Sequence, residues 1–137
     1  MADNDTIPAR TLTFHEAALE ALPTATMIHD HTCVLYANRA ALSLLGAHER
    51  AQVVGHSVSD IVHPDGAEAG AARRAMVMER DHVVTNIPLK LVGVDGVVRY
   101  VVATGQPLEY SDGQRAVLVT AVLVRVGDDG ARVTPPA

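Results

Sequence analysis

The chain has 137 residues, 48% apolar and 20% charged, with a net charge of -5 at neutral pH, which is one globular domain's worth of core. The acidic balance argues against a nucleic-acid partner, because phosphate binding needs clustered Lys and Arg, whereas Arg73, Arg74 and Arg80 are interleaved with Glu68 and Glu79 as on a solvated helix face. The lone Cys33 makes no intramolecular disulfide, the first residues are not a basic, apolar signal, and no apolar run reaches the roughly 18 residues that cross a bilayer, so a cytoplasmic location without membrane contact is expected.

Residues 1–12 are polar, include Pro8, and read as a flexible N-terminal arm. Thr13 and Glu16 have capping-box spacing, with Leu12 set as a staple against Ala17. Phe14, Ala18, Ala21 and Leu22 share one face of a helix over 13–22 that Pro23 ends. Thr24 to His29 reads as a strand, Asp30-His31 as a turn, and Thr32 to Ala37 as the hairpin partner. Asn38 then offers a side-chain oxygen to a helix start, Ala40, Ala41, Leu44 and Leu45 recur at helical spacing, and Gly46 closes the turn. Glu49 to Val54 repeats the plan up to Gly55. Asp65 to Glu79 is expected as a helix with Ala69, Ala72 and Met76 as its stripe. The last third is strand: His82 to Val92, Val97 to Leu108 and Ala116 to Val126, joined by Asp95-Gly96 and by Ser111-Asp112-Gly113. Pro88 cannot donate to a ladder, so its strand is placed at an edge. Residues 127–137 lack periodicity and read as a disordered tail. Five strands with helices inserted between the second and third predict an α+β layer, with the helices on one face of a sheet.

From Leu35 to Asp65 a strand ending in Asn38 leads to Ala40-Ala41, Leu45-Gly46, Glu49, Gly55 and His63-Pro64-Asp65. This order resembles the opening half of a PAS domain. Asp95-Gly96, Arg99-Tyr100 and Gln106-Pro107 stand where that family often has Asp-Gly, Arg-Trp and a following Pro. The resemblance covers about Thr13 to Val126. It implies a single PAS domain over 13–126, a five-stranded antiparallel sheet with short helices on one face, and an N-terminal capping helix. It also implies a sensory, dimerising module, not an enzyme, with no catalytic residues.

In PAS domains the inner sheet face and the short helices enclose a pocket. Alternation puts Ile87, Leu89 and Leu91 on one side of their strand, and the apolar set is assigned inward. By similarity to ligand-binding members, Met27, His29, Val101, Ala103, Gly105, Thr120, Val122 and Val124 face the same cavity. Ala37, Ala41 and Leu45 close it from the helical side, with Met76 on the long helix. A small, largely apolar ligand is the first reading; a core filled by Leu and Met, leaving a ligand-free interaction module, is the alternative.

Cofactors fare poorly against these residues. The flavin-binding relatives use amide side chains and an Asn-Cys-Arg motif; here Leu91, Val101 and Val122 or Val124 hold the comparable positions and the motif is missing. A flavin edge left without partners would cost about 1–3 kcal/mol per group. Haem-binding relatives carry a His on the long helix, which has none here; only His63 and His82 flank it, so haem is also disfavoured. No metal site is expected: His29 and His31 point in different directions, and His48, His56 and His63 lack helical i, i+4 spacing. Cys33 reads as a small buried hydrophobe, and Ser57, Ser59 and Asp60 with His56 or His63 lack a nucleophile elbow. His29, facing an apolar pocket, is the histidine able to form one directed hydrogen bond or titrate near neutral pH.

Val117 to Val124 is apolar on both faces. With Val122 and Val124 turned inward, Val119, Ala121 and Leu123 face outward beside Tyr100 and Val102. Such a patch needs a cover, and a homodimer through this face and through Phe14, Ala18 and Leu22 is expected. Arg125-Val126-Gly127-Asp128-Asp129 departs from the Asp-Ile-Thr that often closes PAS domains of sensor kinases. Output is expected through a signalling partner protein in trans if these residues are the whole protein, and through an effector elsewhere in the chain if they are a piece of a larger regulator.

Overall fold

A computed structural model describes residues 13–111 and 113–127 of the chain. Helix α1 (Phe14–Ala21) is followed by β1 (Ala25–His29), β2 (Val34–Ala37) and α2 (Arg39–Leu44). Single 3-10 turns at Arg50–Gln52, Val58–Asp60 and Pro64–Gly66 lead into α3 (Ala67–Arg80), and β3 (Val84–Val92), β4 (Val98–Ser111) and β5 (Gln114–Val126) complete the chain. The strands form one antiparallel sheet in the order β2-β1-β5-β4-β3. Pro88 is therefore on an edge strand, as a residue without an N–H requires.

Local chemistry explains the early elements. Thr13 Oγ1 accepts from the Glu16 N–H at 3.0 Å, and Glu16 Oε1 accepts from the Thr13 N–H at 3.0 Å, a reciprocal cap on α1. Asn38 is fully buried and joins three elements. Its Oδ1 accepts from Ala41 N–H at 2.9 Å, capping α2, and from Thr26 N–H at 3.0 Å on β1. Its Nδ2 donates to Leu19 O at 2.9 Å and Thr24 O at 3.1 Å, which fixes the exit from α1. All four hydrogen-bonding positions of the amide are used.

The far end of α2 meets the β3–β4 hairpin. Val94 N–H donates to Leu45 O at 2.9 Å, and Arg99 grips Asp95 with two hydrogen bonds of 2.8 Å. The approach is close enough to require glycine at 93, because a Cβ there would lie 2.7 Å from the Leu45 carbonyl oxygen. Between these ties Ala37, Ala41, Leu45, Val53, Val58 and Ile61 pack with Leu91 and Val101 as one buried cluster.

Helix α1 forms where expected, and two details differ. Helix α1 buries none of its residues, and Phe14 is 82% exposed, so the helix does not cover the sheet as an intramolecular cap. Gly127, assigned to the tail, is buried, and its N–H donates to Val98 O at 2.7 Å. The arm over 1–12, its Leu12 staple and the rest of the tail lie outside the described residues.

Candidate functional site

The inner face of the sheet and α3 line a partly open cavity of about 100 Å³. Ladder pairs carry the same facing across the sheet: Met27 opposes Val119, His29 opposes Val117, Ala103 opposes Ala121 and Gly105 opposes Val119. All of these line the cavity, with Ile87 and Leu89 from β3 and Val58, Ile61 and Val62 from the turns before α3. The space exists because small residues stand where the walls converge. A Cβ on Gly105 would reach van der Waals distance of Val117, at 3.4 Å, and of Val77 on α3, at 3.9 Å. Ala103 and Ala121 contribute single methyl groups.

Polar groups at the cavity are few: His29 from β1, and Arg73 and Arg74 from α3. His29 is held by the tight turn after it. Asp30 Oδ1 accepts from Thr32 N–H at 3.0 Å, Thr32 Oγ1 at 2.8 Å and Cys33 N–H at 2.9 Å. These bonds, the Cys33 N–H first and the Thr32 hydroxyl next, lower the Asp30 pKa to about 2. The turn swings the His31 N–H onto His29 Nδ1 at 3.1 Å. Nδ1 is thus an acceptor, and the neutral ring carries its proton on Nε2. Burial lowers the His29 pKa to about 4, helped by repulsion from Arg74 and then from His31. His29 is therefore neutral at pH 7, and titration near neutrality is not a property of this site.

Comparison with known proteins now has a geometry to meet. A family model described as PAS fold matches residues 13–122. The chain belongs to the PAS family. Among solved structures, the PAS domain of nitrogen regulation protein NR(II) from Vibrio parahaemolyticus is 23% identical, with 82% of this chain and 100% of that one covered at a TM-score of 0.65. A PAS domain from Colwellia psychrerythraea is 16% identical over 80% of this chain and 93% of that one, at a TM-score of 0.69. A PAS domain in complex with ethanol, from a LuxR-family transcriptional regulator of Burkholderia thailandensis, is 16% identical over 82% and 98%, at 0.64. Comparison with curated proteins gave no match. The chain is thus a PAS domain, of a family of sensory and signal-transduction modules, and no helix among its described residues is long and apolar enough to cross a membrane.

Within this PAS domain the sequence-assigned pocket residues divide. Met27, His29, Ile87, Leu89, Leu91, Val101 and Ala103 come together on the cavity wall. Ala37, Ala41 and Leu45 do not: they are buried behind the wall, between α2 and the sheet. Met76 is 40% exposed and turned away, while Val77 is buried and takes its place. The stripe of α3 that faces the sheet is Gly70, Arg73, Arg74 and Val77, about 100° around the helix from Ala69, Ala72 and Met76.

The assignment of β5 is corrected as a whole. Val122 and Val124 are 62% and 61% exposed and lie outside the cavity, as does Thr120, while Val117, Val119 and Ala121 line it. Val119 and Ala121 therefore cannot belong to an outer interface. Leu123 opposes Val101 in the ladder but is 45% exposed and lies outside the cavity, whereas Val122 opposes Val102. Tyr100 stays on the outer face, where the Arg125 guanidinium stacks 4.0 Å from its ring centre. Phe14, Ala18 and Leu22 are exposed.

Proposed function

We propose that this PAS domain is a non-catalytic sensory module that takes up a small, largely apolar molecule between α3 and the inner sheet face. One observation carries the reading: between α3 and the inner sheet face lies a space of about 100 Å³ lined almost wholly by aliphatic side chains. Protein interiors normally hold few voids larger than a water molecule, and an apolar void of this kind binds small hydrocarbons in preference to water. The structural neighbour from Burkholderia thailandensis, described in complex with ethanol, supports it. Native mass spectrometry and solvent extraction of the purified protein test it. A bound compound, or uptake of added benzene or xenon, is expected; an empty protein that takes up neither would overturn the reading.

Signal output is proposed to pass through a second copy or a partner protein. The supporting observation is the outer face of β5, where Val122 and Val124 stand exposed beside Val102. Exposed branched side chains in one row favour association over a solvated monomer. Light scattering at micromolar concentration tests self-association, and a dimer is expected.

A further inference from the structure

The cavity is apolar, yet Arg74, a half-buried cation, stands at its wall with no carboxylate beside it in the lining. Arg74 Nε is buried and has no hydrogen-bond partner. Among the described residues lining the cavity there is no Asp or Glu, while a second guanidinium, Arg73, comes from the adjacent position. Burial and then Arg73 both act to lower the Arg74 pKa. Gly70, one turn earlier on the same face, leaves room for the guanidinium to lie back along the helix, since a Cβ there would come 3.3 Å from Arg74 Nη1. On the opposite wall, the His29 ring is neutral, with Nδ1 taken by the His31 N–H and the proton left on Nε2. The polar side chains of the cavity, His29, Arg73 and Arg74, are therefore all hydrogen-bond donors, and the two guanidiniums carry charge.

We infer that the cavity takes a small monocarboxylate, with its hydrocarbon part between Val77, Val101, Ala103 and Ala121 and its carboxylate on the Arg74 guanidinium, and with His29 Nε2–H as a second donor. This rests on the apolar-ligand reading above and specifies it. The planar guanidinium fork matches a carboxylate, and the pair is strongest where water is largely excluded. A cationic ligand meets like charge, and a neutral hydrocarbon leaves the buried Arg74 Nε–H without an acceptor. Size follows from volume: an engineered apolar cavity of about 150 Å³ holds benzene, so about 100 Å³ suits a chain of about four carbons beyond the carboxylate.

Pentanoate and pentanamide are the matched probes, differing in charge and hardly in shape. Calorimetric titration of the whole protein is expected to give pentanoate at least tenfold tighter binding than pentanamide. In Arg74→Gln the two should bind equally, with pentanamide affinity unchanged within twofold. Arg125→Gln, which removes the same charge from the outer face, should keep the tenfold preference. Equal binding of the two probes to the unmodified protein, or a preference that survives Arg74→Gln, overturns the carboxylate assignment and leaves the apolar-ligand reading standing. Binding of neither probe overturns the carboxylate assignment, and when benzene and xenon are not taken up either it overturns both.

Discussion

Ala103 on β4 and Ala121 on β5 stand directly opposite each other in the ladder, both methyl groups turned into the cavity. Two alanines in register at the centre of a sheet remove side-chain volume from one spot, and the surrounding Val and Leu do not close it. Ala121→Val should therefore extend into existing space. We expect stabilisation of about 1 kcal/mol by urea denaturation, together with weaker uptake of any small ligand. A loss of 1–3 kcal/mol, the usual cost of overpacking, would show that the cavity cannot accept even this added volume.

His29 makes stability depend on pH over a defined window. Its pKa is lowered from 6.5 to about 4 in the folded chain, chiefly by burial, with Arg74 and His31 adding repulsion and Asp30 opposing them. As the pH falls, the unfolded ring gains its proton near 6.5 and the folded ring only near 4. The unfolded state binds more protons in between, so stability is full above the window and falls as the pH drops through it. The expected loss is about 3 kcal/mol, levelling off below the window. Asp30, whose pKa is lowered from 3.8, adds its own loss only as the pH falls below that value. His29→Gln should flatten the slope between pH 6.5 and 4, and an unchanged slope in urea titrations would contradict the assignment.

Asn38 is expected to be the most costly single polar substitution. Asn38→Ala removes the α2 cap and leaves Thr26 N–H, Leu19 O and Thr24 O without their side-chain partner, for a loss of about 3 kcal/mol. Asn38→Asp separates the two halves of this role. It keeps the acceptor for Ala41 and Thr26 but sets a carboxylate oxygen against two carbonyls, so it should also destabilise. Full stability of Asn38→Asp would mean that capping alone matters.

On the outer face, Val122→Glu should leave folding and cavity occupancy unchanged, because the side chain is largely in solvent. It should shift sedimentation from dimer to monomer by placing a charge in the proposed contact. An unmodified protein that already sediments as a monomer would remove the dimer reading.

Sequence alone determined the parts of this PAS domain whose signals are local. The cap at Thr13, the Asn38 helix start, the Asp95-Gly96 hairpin and the Pro88 edge strand each depend on residues a few positions apart, and all stand as read. So does the inward row of Ile87, Leu89 and Leu91, where strict alternation marks the face. Tertiary structure decided the facing of β5 and the rotation of α3. Val117 to Val124 is apolar at every position but one, so alternation carries no information, and a one-residue choice turns every side chain over. The facing is set by partners on β1 and β4, with bulges between Tyr100 and Val101 and between Glu109 and Ser111. On α3 the Ala and Met stripe is the more apolar one, and hydropathy selects it. The sheet receives Gly70, Arg73, Arg74 and Val77 instead, because the glycine permits close approach and an arginine can bury its stem along an apolar wall while its head seeks a partner. Only that rotation brings a guanidinium to the cavity.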